Sequence, residues 1–295
     1  MNEPAKVHLV DGTYELFRHS FGAPAHANSS GQEVAAVRGV VASLLGLLGD
    51  GTTHVGVATD HVIESFRNAM WPGYKTSAGV DPVLLRQFGL LEEALDALGV
   101  AVWAMVEWEA DDALASAAAV AAADPSVAQV VICTPDKDLG QCVSATRVVQ
   151  LDRRRNTVFD EAGVWTKFGV GPPSIPDLLA LVGDSADGFP GLPGRGAKSA
   201  AAVLAHYGSI EAIPDAAGQW EVTVRAGATL ARTLADNREL AMLFKDLATL
   251  RTQPAVVGST EELRWRGPSS QFAALCQELD APALARRAEE LASNR

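Results

Sequence analysis

Apolar positions in the first 135 residues fall into short unbroken runs separated by stretches with a helical repeat. Lys6 to Val10 reads as a buried strand that delivers Asp11, and Gly12 opens a helical stretch containing Arg18. After a polar, small-residue loop from Gly22 to Gln32, Glu33 to Leu48 has helical periodicity. His54 to Thr59 is strand-like again and again ends on an acid, Asp60. Val100 to Val106 hands over, through Glu109-Ala110-Asp111-Asp112, to an alanine-rich helix, and Gln129 to Thr134 leads into Pro135-Asp136-Lys137-Asp138. Apolar strands with acids at their C-terminal ends, alternating with helices, predict an α/β fold: an open parallel sheet with a site in its carboxyl-end crevice.

Between the second and third runs the chain carries Phe66-Arg67, a Gly-, Pro- and Ser-rich segment from Trp71 to Pro82, and a helix expected over Pro82 to Leu98. Two readings of the polar segment stand, a mobile cover over the crevice and an ordinary long loop. Val148 to Leu151 and Thr157 to Phe159 flank Asp152-Arg153-Arg154-Arg155-Asn156, a hairpin whose arginines read as a solvated turn. From Asp160 onward nearly everything is helical with Gly and Pro punctuation. A boundary near residue 160 separates a sheet core, 1–160, from a helical region, 161–295. Helices over Val222 to Leu250 and Ser269 to Asn294 are expected to pack against the sheet domain.

Glu109, Asp111 and Asp112 place three carboxylates in four residues. Ionised acids so close repel one another, which a cation among them relieves; the rival reading is an acidic first helical turn that complements the dipole. A net charge of -12 and a pI near 4.9 argue against a polyanionic partner. That objection weakens if many acids converge on divalent cations, because the partner then meets metal. No apolar run reaches the roughly 18 residues of a membrane span, and Met1 to Lys6 lacks the regions of a signal peptide, so a cytoplasmic location is expected. Cys133, Cys142 and Cys276 have no metal-type spacing and predict neither disulfide nor zinc knuckle.

A second constellation runs from Gly183 to Ala200. Asp184 and Asp187 lie three apart, so on a helix end they would share a face and join the other acids at a metal. Gly191, Gly194 and Gly196 permit a tight turn with exposed amides before a helix opening near Ala197, and Arg195 and Lys198 add positive charge there. Such a turn suits gripping a phosphate backbone without reading bases.

Taken in order, Val10-Asp11-Gly12, Asp60 with Phe66-Arg67 and Tyr74-Lys75, Glu109-Ala110-Asp111-Asp112, Asp136-Lys137-Asp138-Leu139 and Gly183 through Ala200 resemble the 5′-3′ exonuclease domain of bacterial DNA polymerase I and its flap endonuclease relatives. The resemblance runs from about Val7 to Ile213. It implies a PIN-like nuclease core, a helix-three-turn-helix DNA-binding element at about 175–215, and phosphodiester hydrolysis at 5′ flaps and 5′ ends of DNA in replication and repair. By motif match, Asp11, Asp60, Glu109 and Asp111, with Asp112 beside them, resemble a first-metal group. Asp136, Asp138 and Asp187, supported by Asp184, resemble a second-metal group. The resemblance implies two or three metal ions per active site. Gly191, Gly194, Arg195, Gly196, Lys198 and Ser199 resemble a potassium-dependent clamp on the duplex. Three departures stand out: Thr76 to Val80 carries no further basic residue, Gly188 follows Asp187, and Trp108 precedes Glu109.

An all-carboxylate, histidine-free set suits Mg²⁺ or Mn²⁺ better than zinc. Lys75 and Arg67 would steady the scissile phosphate, with Arg18 as a further candidate; each has an alternative as a plain surface charge. The expected partners are DNA (5′ flap, nicked or branched duplex, and the RNA-primer 5′ end) and, from the family, a sliding clamp or other replication and repair proteins. No docking peptide is visible at the C-terminus. Ending at Arg295 without a polymerase domain, the chain resembles a stand-alone nuclease, expected to be monomeric. The rival function is a catalytically weak DNA-junction-binding protein, which loss of an essential carboxylate would favour. A phosphatase-like hydrolase of small substrates is opposed by the Gly191 to Lys198 turn and the helical second half.

Overall fold

The computed structural model describes residues 5–22, 24–193, 196–253 and 255–295. Strand β1 (Ala5–Asp11) runs into helix α1 (Gly12–Gly22), and α2 (Ala35–Gly49) precedes β2 (His54–Asp60). A single helical turn, α3 (Arg67–Met70), follows. The helix expected over Pro82 to Leu98 is two pieces, α4 (Pro82–Leu85) and α5 (Gln87–Leu98). Arg86 between them keeps helical dihedrals (φ −65°, ψ −19°), so the interruption is one of hydrogen bonding and not of backbone conformation. Next come β3 (Ala101–Met105), α6 (Ala110–Ala123), β4 (Val127–Cys133), β5 (Val148–Asp152) and β6 (Thr157–Phe159). The remainder is helical: α7 (Glu161–Phe168), α8 (Ile175–Val182), α9 (Ala197–Tyr207), α10 (Gly227–Asp236), α11 (Arg238–Ala248), α12 (Phe272–Glu278) and α13 (Pro282–Ser293).

These elements form two compact units that interleave along the chain. The first comprises residues 1–63, 77–134 and 252–295; the second comprises 64–76 and 135–251. In the first unit four parallel strands stand in the order β3-β2-β1-β4. Every residue of β2 is buried, as expected of a parallel strand covered on both faces. Val37, Val40, Val41, Leu44, Leu45 and Leu48 of α2 are buried in this core, and so are Ala113, Leu114, Ala117, Ala118 and Ala121 of α6. Small alanines let α6 pack closely on β1, β2, β3 and β4. At α1 the close approach needs glycine: a Cβ on Gly12 would stand 2.8 Å from the Ala58 carbonyl oxygen. The C-terminal helices α12 and α13 belong to this unit and pack on α5 and α2.

In the second unit β5 and β6 form the antiparallel hairpin expected from the sequence, with Asp152 opposite Thr157. Its core gathers Ile175, Leu178, Leu179 and Leu181 of α8 with Ala241, Phe244 and Leu247 of α11. Phe189 stacks on Phe244 at 5.5 Å, and Trp71 meets Phe244 edge-on at 5.1 Å. Trp71 Nε1 donates to the Gly188 carbonyl at 3.1 Å and the Lys75 amide to the Asp187 carbonyl at 2.9 Å. Tyr74 is buried. The first part of the Trp71 to Pro82 segment is therefore tied into this unit.

Candidate metal centre

In the first unit the acids stand where strands end and helices begin. Register puts Asp11 opposite Ala58 and Asp60 opposite Met105, so both side chains sit at the carboxyl edge of the sheet. Asp11 Oδ1 accepts the Tyr14 N–H at 2.8 Å in the first turn of α1, and Oδ2 accepts the Thr134 hydroxyl at 2.9 Å. Asp60 Oδ1 accepts the Ala110 N–H at 2.7 Å, at the first residue of α6, while the Asp60 N–H donates to Thr13 Oγ1 at 2.8 Å. Glu109 and Asp112 form a reciprocal capping box on α6, and the Glu109 N–H donates to Asp112 Oδ2 at 3.1 Å. Asp11, Asp60, Glu109 and Asp112 are all buried, and Asp111 is half-buried. The pair at the ends of Glu109-Ala110-Asp111-Asp112 is thus a helix cap, built from buried carboxylates. Arg18 pairs on its own helix with Glu15 and meets His19 Nε2 at 2.9 Å.

In the second unit the acids come close enough to share an ion. Asp138, Asp184 and Asp187 each offer a carboxylate oxygen, and these atoms lie within 4.8 Å of one another, the one such triad among the described residues. Asp136 Oδ1 accepts the Asp138 N–H at 2.9 Å, which folds the loop so that Asp138 turns inward. Burial drives the Asp138 carboxyl well above its ordinary range, and the charges of Asp136, Asp187 and Asp184 push it further against the pull of Lys137. Its Oδ1 is buried without a hydrogen-bond partner. Unmatched buried oxygen among crowded oxygen donors is the setting a hard divalent cation satisfies, so the donor set fits a divalent metal ion.

The turn carrying Asp184 and Asp187 is not the helix end expected from their spacing. Gly183, at φ +84°, ends α8. Asp184 and Phe189 then exchange backbone hydrogen bonds of 2.8 and 3.0 Å, and the Gly188 N–H donates to the Asp184 carbonyl at 2.9 Å. Gly183, Gly188 and Gly191 all take positive φ, a conformation glycine adopts without strain. A cleft of about 410 Å³ opens along Val182 to Ser185 and Gly188 to Pro190.

Two lysines reach the triad. Lys75 Nζ stands 3.3 Å from Asp187 Oδ1, and Lys137 Nζ stands 2.7 Å from Asp184 Oδ2. Lys137 was not among the expected site residues, although its place between Asp136 and Asp138 was the signal. Burial draws its ammonium down, yet the Asp184 hydrogen bond and the charges of Asp184, Asp138 and Asp136 carry it above the ordinary lysine value. Arg67, expected to steady the scissile phosphate, is placed against backbone carbonyls at the end of α11. It is 1% exposed, its guanidinium donates to the Leu247 carbonyl at 2.8 Å and the Thr249 carbonyl at 3.1 Å, and it lies 4.6 Å over the Phe66 ring. In this geometry it caps the end of α11.

Of the expected clamp residues, Gly194 and Arg195 lie outside the described residues. Gly191 and Gly196 flank them, and α9 opens at Ala197 with no side-chain cap, followed by Lys198 and Ser199. Among the described residues no helix is long and apolar enough to cross a membrane.

Comparison with known proteins gives these features a family. Residues 6–169 match the profile of the 5′-3′ exonuclease N-terminal resolvase-like domain, and residues 170–271 match the 5′-3′ exonuclease C-terminal SAM fold. DNA polymerase I of Mycobacterium leprae is 35% identical over 262 residues, covering 83% of this chain and 28% of that protein. DNA polymerase I of Bacillus caldotenax is 31% identical over 280 residues, covering 93% of this chain and 31% of that protein. The chain thus spans under a third of the length of these relatives. Among solved structures, the bacteriophage T5 flap endonuclease in a complex with DNA and metal ions superposes with a TM-score of 0.65 at 18% identity, covering 98% of this chain and 99% of that one. The catalytic core of Rad2 in complex with DNA substrate superposes with a TM-score of 0.64 at 16% identity, covering 98% and 92%. With a mixed α/β architecture of mostly parallel strands, a helical SAM-like second half and both profiles matched in order, the chain belongs to the 5′-3′ exonuclease family.

Proposed function

We propose that this protein is a divalent-metal-dependent, structure-specific 5′ nuclease that hydrolyses DNA phosphodiesters at 5′ flaps and 5′ ends. The observation that carries the reading is the Asp138, Asp184 and Asp187 triad, the first two buried and Asp187 half-buried, with a bare Asp138 oxygen, inside a chain of the 5′-3′ exonuclease family. Asp138 and Asp187, with Asp136 behind them, would hold one cation, and Asp11, Asp60, Glu109, Asp111 and Asp112 supply the donors for another. Bound Mg²⁺ or Mn²⁺ would supply activation of the attacking water and stabilisation of the leaving oxygen.

The protein's own groups would orient and neutralise. Lys75, held against Asp187 and 5.8 Å from the Tyr74 ring centroid, is the cation suited to steady a non-bridging phosphate oxygen. Lys198 and the uncapped N-terminus of α9 suit a duplex phosphate, contacted through the backbone and therefore without sequence preference. The site's acids repel DNA until cations are present, which reconciles a net charge of -12 with a polyanionic substrate.

The test is cleavage of a 5′-labelled flap duplex with Mg²⁺, with Mn²⁺ and with EDTA, alongside Asp138→Asn and a single-stranded control. Metal-dependent cleavage near the junction that collapses in Asp138→Asn is the expected result. Tight flap binding without cleavage in either metal would replace the enzyme with a junction-binding protein.

A further inference from the structure

We propose that Lys137 is a built-in counter-cation of the Asp138, Asp184 and Asp187 group, a positioning residue that holds Asp184 and sets how tightly the group takes a divalent cation. The inference rests on reading that group as metal-ligating.

The hydrogen bonds divide the three acids into two kinds. Asp184 is 3% exposed, and both its oxygens already have a donor: Oδ1 accepts the Ala186 N–H at 3.0 Å, and Oδ2 faces Lys137 Nζ at 2.7 Å. Asp187 Oδ1 faces Lys75 Nζ at 3.3 Å. Asp138 Oδ1 is buried without a hydrogen-bond partner, in a residue 5% exposed. The two lysines therefore sit on Asp184 and Asp187, and Asp138 keeps an acceptor without a donor. Asp184 acts through Lys137, while Asp138 is the carboxylate left for a cation.

Lys137 is fixed from both sides. Its backbone has helical dihedrals (φ −69°, ψ −26°) at the entry to the Asp138–Cys142 turn, and the bond from the Asp138 N–H to Asp136 Oδ1 closes the loop around it. An exposed surface pair would contribute little, but Asp184 is desolvated, so its partner is held. The result is a permanent positive charge beside a divalent-cation site. It lessens repulsion among the acids in the metal-free protein and opposes tight binding of the ion. It also favours entry of the ion together with a negatively charged group such as a phosphate.

The expected size follows from Coulomb's law: one charge roughly 6 Å from a divalent ion, at water-like screening, changes affinity about tenfold. The experiment is Mn²⁺ titration of the metal-free full chain without DNA, with free Mn²⁺ read by electron paramagnetic resonance. Asp138→Asn identifies the relevant class of sites by abolishing it. Lys137→Met should tighten that class about tenfold, whereas Lys137→Arg, which keeps the charge, should bind like the parent. A merely structural Lys137 would give the opposite sign, because loosening Asp184 weakens the site. Lys137→Gln, equally uncharged, carries the same test if Lys137→Met does not fold. Unchanged or weaker Mn²⁺ binding, Lys137→Arg behaving like Lys137→Met, or failure of both uncharged variants to fold in Mn²⁺ overturns the proposal. Absence of any Asp138-dependent class overturns it together with the metal reading beneath it, whereas cleavage of flap DNA tests the nuclease reading separately.

Discussion

Replacing Arg67 by methionine separates a structural role from a phosphate contact. Three successive carbonyls at the end of α11 are capped by distant side chains: Arg67 takes Leu247 at 2.8 Å and Thr249 at 3.1 Å, and Gln141 Nε2 takes Ala248 at 3.0 Å. Gln141 Oε1 also accepts the Leu250 N–H at 3.0 Å as the chain leaves the helix. Helix C-terminal carbonyls have no partner within the helix and carry the negative end of its dipole, which suits a guanidinium. Arg67→Met would leave the buried Leu247 and half-buried Thr249 acceptors unmatched, at about 1–2 kcal/mol each, and forfeit about 0.5–1 kcal/mol of dipole interaction, for a loss of roughly 2.5–5 kcal/mol. Arg67→Lys should recover only part, since an ammonium cannot span both carbonyls as the planar fork does. Urea unfolding in EDTA, combined with hydrogen exchange at the amides of residues 241–250, measures both variants. Parent-like stability and protection in Arg67→Met, together with lost cleavage, would refute the capping argument and restore the phosphate contact.

Lys245→Met probes the buried Asp177, which Lys245 Nζ meets at 2.9 Å while also bonding Glu211. Burial raises the Asp177 carboxyl, and Lys245 and the Ile210 N–H pull it back; the Lys245 ammonium, lowered by burial, ends above its ordinary 10.5 through its bonds to Asp177 and Glu211. The lysine's contribution is therefore complete below pH 10.5 and lost as pH rises through its folded-state value. The variant should lose about 2–3 kcal/mol at pH 7, a deficit that narrows as acid protonates Asp177, and equal urea midpoint shifts at pH 7 and pH 4.5 would contradict this. Asp138→Asn should raise metal-free stability by about 1–2 kcal/mol by removing a repelled buried charge, and a lower melting temperature in EDTA would count against that repulsion. Burial pushes the Cys276 thiol up to about 11 against the opposing Ala285 N–H, and Cys133 is also buried. A thiol reagent at pH 8 should thus modify Cys142 first, whereas fast reaction of a second thiol would show that those sites open readily.

Much of the first unit was legible in the chain. Strands β1, β2 and β4 lie within two residues of their apolar runs, because a strand buried on both faces must be continuously apolar and acids end it visibly. The hairpin of β5 and β6 was readable from its turn residues. The two pieces α4 and α5 were not, since the hydrophobic repeat runs through Arg86 and only the hydrogen bonding changes. Nor was the geometry of Asp184 and Asp187: a three-residue spacing suits a helix or a glycine turn equally, and Gly183 and Gly188 decide for the turn.

By itself the sequence determined the alternation of strands and helices, the inventory of acids and the family, because each is a local pattern or an order of motifs. Tertiary structure decided which acids meet and what each basic residue touches. Asp138, Asp184 and Asp187 converge although their segments are far apart in the chain, and they stand unevenly, with Asp184 satisfied by Lys137 and Asp138 left with a bare oxygen. Arg67, which as a motif residue reads like a phosphate ligand, is turned inward to carbonyls 180 and 182 positions away in the chain. The physical reason is that a long cationic side chain reveals nothing in sequence about which acceptor it meets, and only the folded chain brings one within reach.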